Sequence, residues 1–162
     1  MAAWHLFPAA LAHAELLAVV HGRCFEETWS RRVIAELLST PGGFAYMAVV
    51  DDPVVGEAPA GFTLARIASD DAELLTLCVL PAYRRQGIAA SLLDMAIRRA
   101  RELSAGRLFL EVAETNEPAR ALYANRGFAA GRRRPDYYRA PNRAPVAALE
   151  LKCDLSRDPT RA

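Results

Sequence analysis

The sequence predicts a single-domain α/β layer sandwich, with helices interleaved into a mostly meandering sheet. Three observations carry this. Strand-length apolar or alternating runs, bounded by Gly, Pro and Asp, follow one another between Phe44 and Leu80. From Arg84 onwards the pattern changes to helical period, with Ile88, Leu92, Met95, Ala96 and Leu103 near one face. The chain has 162 residues, and a domain near that size buries roughly 70% of the surface its unfolded chain exposes, so one core suffices.

Taken in order, "WHLF" (Trp4–Phe7) reads as a first strand, and Pro8 suits the start of a helix to about Val20. Ser30 is placed to N-cap a short helix to about Leu38. Pro41–Gly43 form a turn, Phe44–Val50 a strand and Asp51–Pro59 a loop. Ala60–Ala68 is the next strand, Ser69–Asp71 a turn, and Ala72–Leu80 a further strand that Pro81 breaks. The helix that follows stops by Gly106. Arg107–Ala113 is a strand. Asn116 then caps a helix with Pro118 near its first turn, which runs to about Arg126 before Gly127. Phe128–Arg134 and Val146–Leu155 read as the last strands, joined by a Pro- and Arg-rich loop. The domain is expected to occupy residues 1–155, with 156–162 a frayed tail.

Formal net charge is +1, so no global field draws nucleic acid or an acidic membrane, and neither is expected as a partner. Cys24, Cys78 and Cys153 are widely spaced and no pair has metal-ligand spacing, which suits a reducing compartment and no bound metal. His5, His13 and His21 read as surface or packing residues. The N-terminal stretch lacks the basic start of a secretion signal, and Pro8, His13 and Glu15 interrupt its apolar core. No apolar run is long enough to span a bilayer. A cytoplasmic protein is expected.

The segment Arg84–Glu102 opens oddly for a helix. Arg84, Arg85, Gln86 and Gly87 stand where the first turn would be. Cations are disfavoured beside the positive end of the macrodipole, and glycine costs backbone entropy there. Two readings follow. Either free N–H groups and a bare Gly87 backbone cradle an anion, or solvated arginines flank a turn glycine. The loop is not a P-loop, which ends in Gly-Lys-Ser/Thr, and it lacks the second glycine of a dinucleotide fingerprint.

"RRQGIA" (Arg84–Ala89) resembles the Arg/Gln-x-x-Gly-x-Gly/Ala motif of the GNAT acyltransferase superfamily. "LTLCVLPAYRRQGIAASLL" is similar to that family's strand-loop-helix, and "LFLEVAETNEPARALYANRGF" to its next strand and helix. "RRRPDYYR" resembles the Tyr-Tyr segment of the RimI branch, which acetylates a ribosomal-protein alanine, and "CFEETWS" echoes that branch's early Phe-x-Trp-Ser stretch. The resemblance is dense from Glu73 to Tyr138 and thin before Phe44. It implies a mixed, mostly antiparallel sheet splayed between its fourth and fifth strands, with four helices. It implies acetyl-CoA as co-substrate, its pyrophosphate cradled by Arg84, Arg85, Gln86, Gly87, Ile88, Ala89 and Ala90. Its pantetheine arm would pair with the backbone of Leu77, Cys78 and Val79, as an added strand does. Asn116 would be a further cofactor contact as well as a cap.

Acetyl transfer to an amine needs the amine neutral, and an α-amine (pKa ~8) or a lysine (~10.4) starts mostly protonated at neutral pH. A general base and a proton donor for the departing thiolate are therefore sought. Glu111 is the lone acid in "RLFLEVA", a strand that otherwise reads as buried, so its carboxylate is either paired structurally or faces a cleft. The resemblance makes it the base. Glu73, at the start of the preceding strand, is the runner-up. Tyr123 lies on an apolar helix face with Ala119 and Leu122, and packing alone would explain it. The resemblance makes it the acid. Cys78 suggests a covalent route, but no histidine follows it in the chain to activate it, and free cysteines are commonly small buried hydrophobes. Tyr137 and Tyr138 beside the basic run "GRRRP" suit a loop that packs a peptide acceptor. Where the RimI branch carries an acidic-Ala pair and a methionine on the last strand, this chain has "APVAALELKCDL". That departure bears on the acceptor, for which a protein N-terminus stands against a small amine or a lysine side chain. A non-catalytic acyl-CoA sensor is a third reading, which the presence of both Glu111 and Tyr123 opposes.

Overall fold

The computed structural model describes residues 3–156. The frayed tail expected after Leu155 falls on residues 157–162, outside the described residues, save for Ser156. Strands β1 (Trp4–Ala9), β2 (Gly43–Asp52), β3 (Gly56–Ala68), β4 (Asp71–Val79), β5 (Arg107–Ala113), β6 (Ala129–Tyr138) and β7 (Val146–Asp154) form one sheet, in the order β1-β2-β3-β4-β5-β7-β6. Helices α1 (Ala14–Cys24), α2 (Arg31–Ser39), α3 (Ile88–Glu102) and α4 (Glu117–Ala124) cover it. Every neighbouring pair is antiparallel except β4 with β5.

The continuous apolar run of β2 reflects burial on both faces. Ala45, Met47 and Val49 face Leu17, Val20 and Ile34 of α1 and α2, while Tyr46, Ala48 and Val50 face Ile88 and Leu92 of α3. A third cluster joins Leu93 and Ile97 of α3 to Leu108 and Leu110 of β5 and to Tyr123 and Phe128. The sheet therefore lies between two helical layers.

Several boundaries differ from expectation. Pro8 does not open a helix: β1 runs through it, paired with Tyr46, and a 3₁₀ turn at Leu11–His13 precedes α1. An edge strand tolerates a residue without an N–H. The loop expected over Asp51–Pro59 shrinks to a turn, because Asp52 Oδ1 accepts the Val54 and Val55 N–H groups at 2.8 and 3.0 Å and β3 begins at Gly56. β6 continues past Arg134 through Pro135 to Tyr138, with an irregularity at Asp136 (φ 53°), so Tyr137 and Tyr138 stand on an edge strand and not in a loop.

Candidate active site

β4 and β5 pair only at Ala72–Leu108 and Glu73–Phe109. Beyond that point they diverge. A register shift between Leu64 and Ala65 of β3 marks the same level of β4, and bulges of this kind bend and twist a strand. Past the bulge, Leu77, Cys78 and Val79 pair with Thr63, Phe62 and Gly61 on the β3 side. Among the described residues no strand pairs with their other edge, which opens toward β5. An extended arm can add to such an edge.

The segment after β4 resolves the odd helix opening. Residues 81–83 form a 3₁₀ turn, and α3 begins only at Ile88, with Gly87 as its N-cap at φ 83°. Arg84 and Arg85 therefore precede the helix, so the first turn holds no cation. Arg84 Nε donates to the Val79 carbonyl at 3.0 Å, and Arg85 is itself left-handed at φ 63°. The first bond of α3 runs from Ser91 N–H to the Gly87 carbonyl, so the Ile88, Ala89 and Ala90 N–H groups have no partner within the helix. A Cβ added at Gly87 would meet no described atom within 4 Å. Gln86 Oε1 is buried without a hydrogen-bond partner among the described residues. Free donors, open space and a positive helix end suit a pyrophosphate.

Glu111, Tyr123, Tyr137 and Tyr138 come together beside the split. Glu111 sits at mid-strand in β5 with its side chain a quarter exposed, ion-paired with Arg134 Nη1 at 3.0 Å. Tyr137 donates to the Glu111 carboxylate, which pushes the Tyr137 phenol above its usual range. The Arg134 guanidinium lies 5.6 Å from the Tyr137 ring centroid. Burial, with Glu111 nearby, raises Tyr138 as well. Tyr123 is 7% exposed and packs against Phe128 at 5.6 Å between centroids. Burial first, then the neighbouring Tyr138, pushes its phenol up to about 12. The ring is buried, but its hydroxyl is not a sealed, orphaned group. It is thus a neutral O–H across the physiological range, next to Tyr138, which in turn lies near Glu111.

Other candidates stand elsewhere. Glu73 is held by Arg66 directly across the β3–β4 pair, at 2.7 and 2.9 Å, at the closed end of the split. Asn116 caps α4, its Oδ1 accepting the Ala119 N–H at 3.3 Å. The Cys78 side chain turns into the core under α1, away from the face that holds Ile88. His21 is buried at 3% exposure, stacked on Trp29, and its Nδ1 accepts the Trp29 N–H at 3.2 Å. His5, Asp51 and Glu57 bring ligand atoms within 4.8 Å of one another, but all three are exposed at the opposite edge of the sheet. Arg134 was not singled out by its sequence, where it is one of three consecutive arginines. Its signal was weak but present: it lies on the strand that carries the tyrosine pair. Glu27, from the segment between α1 and α2, is also near enough to raise Tyr138.

The family model described as the acetyltransferase (GNAT) family matches residues 14–128. A Bacillus subtilis (strain 168) protein, provisionally named as a ribosomal protein bS18-alanine N-acetyltransferase, is 32% identical over 120 residues, covering 74% of this chain and 76% of that protein. The Escherichia coli (strain K12) ribosomal protein bS18-alanine N-acetyltransferase is 35% identical over 79 residues, and the alignment spans about half of that protein, 53%. The crystal structure of the corresponding Escherichia coli enzyme superposes with a TM-score of 0.82 at 21% identity, covering 99% of both chains. Arabidopsis thaliana NAA60 in complex with acetyl-CoA superposes at 0.80 and 20% identity, covering 96% of this chain and all of that one, 100%. Among the described residues, no helix is long and apolar enough to cross a membrane. The chain belongs to the GNAT acetyltransferase family.

Proposed function

We propose that this enzyme transfers the acetyl group of acetyl-CoA to the N-terminal α-amine of a protein, with an alanine of a ribosomal protein as acceptor. The observation that carries the reading is the junction of Glu111, Tyr137 and Tyr138 with the neutral Tyr123 at the mouth of the β4–β5 split. The sequence likeness to alanine N-acetyltransferases supports the choice of acceptor, and a ribosomal-protein acceptor sets the reaction in the cytoplasm.

Bound acetyl-CoA supplies an activated thioester. The N–H groups of Ile88, Ala89 and Ala90 and the open face of Gly87 hold its pyrophosphate, with Arg84, Arg85 and Gln86 around it. The backbone of Leu77, Cys78 and Val79 takes the pantetheine arm, and Asn116 adds a side-chain contact. Tyr137 and Tyr138 seat the acceptor terminus. Glu111 Oε takes a proton as the amine attacks, directly or through one water. Arg134 keeps that carboxylate in place before the acceptor arrives. The Tyr123 hydroxyl passes its proton to the departing sulfur as the C–S bond breaks. Burial keeps the Tyr123 proton in place at neutral pH, to be passed only as negative charge builds on the departing sulfur. Incubating acetyl-CoA with an alanine-initiated peptide and following CoA release tests the reading: release that depends on the peptide supports it, and none with any amine would reject it in favour of an acyl-CoA sensor.

A further inference from the structure

Two thiols meet outside the reacting cluster. Cys24 is the last residue of α1, and Cys78 lies near the end of β4. α1 packs across this face of the sheet. Cys78 sits inside the cluster formed by Leu17, Val20, Phe62 and Leu80, and Cys24 packs against its rim. The two side chains lie against one another, with the Arg84 guanidinium beside both. Arg84 is anchored there by its bond to the Val79 carbonyl at 3.0 Å. Their environments differ: Cys78 is buried and Cys24 half-buried. The third thiol, Cys153, belongs to the separate cluster around Leu108 and Phe128, where it contacts the Arg126 carbonyl at 3.5 Å.

The thiolate is the nucleophile in cysteine chemistry, and a neighbouring cation or thiol favours it. The Cys78 thiol, then Arg84, bring Cys24 down to about 7 against the opposing effect of its partial burial. The same pairing, with deeper burial, pushes Cys78 up. The less buried partner, Cys24, is therefore the attacking thiol and the buried Cys78 the resolving thiol.

We propose that Cys24 and Cys78 form a dithiol that a hydroperoxide closes to an intramolecular disulfide, tying the end of α1 to β4. The Cys24 thiolate attacks the outer peroxide oxygen, the O–O bond breaks and an alcohol or water leaves, so that Cys24 becomes a sulfenic acid. The Cys78 sulfur then attacks the Cys24 sulfur, the S–O bond breaks, and the Cys78 proton leaves with the hydroxide as water. The sum is two thiols and one hydroperoxide giving a disulfide, an alcohol and water. The bond would fix the start of segment 25–30, whose Glu27 lies near Tyr138 and whose Glu26 reaches Arg143 at 3.4 Å, against the strand that borders the split.

The test treats the reduced full-length protein with hydrogen peroxide, blocks free thiols with N-ethylmaleimide under denaturing conditions, and maps peptides without reduction. The expected product is one linked peptide pair, Cys24 with Cys78, lost on adding dithiothreitol, with Cys153 alkylated throughout. Cys78→Ala should lose the link and leave a Cys24 sulfenic acid that dimedone traps. Oxidised protein in which Cys78 is still fully alkylated, or in which Cys24 links only between two copies of the chain, would overturn the proposal. Mapping of the unaltered protein stands alone if the variant does not fold, and neither readout requires acetyl transfer.

Discussion

Replacing Gly87 with alanine separates two jobs that one residue could do. At φ 83° and ψ −4° the backbone is left-handed, a region that disfavours a Cβ by about 1–2 kcal/mol. The added methyl meets no described atom within 4 Å, so the free protein has no clash to add to that strain. For a domain of 162 residues, each kcal/mol shifts the melting temperature by about 2–4 °C. Gly87→Ala should thus melt about 2–8 °C lower and remain folded. The methyl would, however, take up part of the space that stands open beside the Gly87 backbone. If a pyrophosphate belongs there, the methyl pushes it off its donors, and loss of even one charge-assisted hydrogen bond, worth about 1.5–3 kcal/mol, weakens binding roughly tenfold to a hundredfold. Calorimetric titration with acetyl-CoA, beside a thermal melt followed by circular dichroism, reads both quantities on one sample. A variant that melts lower yet binds acetyl-CoA with the parent Kd would make Gly87 a turn residue only and refute the cradle.

Tyr123→Phe removes one oxygen from a packed ring; steady-state kinetics should show kcat down by about 10²-fold or more, with acetyl-CoA affinity nearly unchanged. Glu111→Gln keeps the side-chain shape but accepts no proton, so only amine that is already neutral reacts. Its kcat/KM deficit should be large at neutral pH and narrow as pH passes about 8 for an α-amine, but only toward about 10.4 for a lysine; a pH–rate profile that parallels the parent's would remove Glu111 as base. Burial holds the His21 pKa below its ordinary value. The unfolded chain therefore takes up that proton first, and stability that is complete above about pH 6.5 drains away below it. Melts above and below that pH should show a smaller acid loss in a His21→Gln variant than in the parent.

The sequence exposed the parts of this fold that follow from period and punctuation. β2 through β5 and α3 announce themselves by apolar spacing, and Asn116 and Ser30 cap the helices where their residue types place them, Ser30 Oγ accepting the Val33 N–H at 3.3 Å. What stayed hidden depends on neighbours. Pro8 signals a helix start in isolation and becomes an edge-strand residue only because β2 lies beside it. Tyr137 and Tyr138 read as loop until β7 pairs with their segment. Glu111 was legible as an acid out of place in an apolar strand, but its partner was not: Arg134 reaches it from β6, across the intervening β7. The meeting of Cys24 with Cys78 likewise joins residues far apart in the chain, through the packing of α1 on the sheet.

The most direct measurement is mass spectrometry of one alanine-initiated peptide carrying internal lysines, incubated with enzyme and acetyl-CoA in two forms, N-terminus free and N-terminus formylated. A protein N-terminal acetyltransferase adds a single acetyl group to the free peptide, at the terminal alanine, and nothing to the formylated one. Acetyl on an internal lysine of the formylated peptide would contradict N-terminal acceptance and reassign the same fold and cofactor site to lysine side chains.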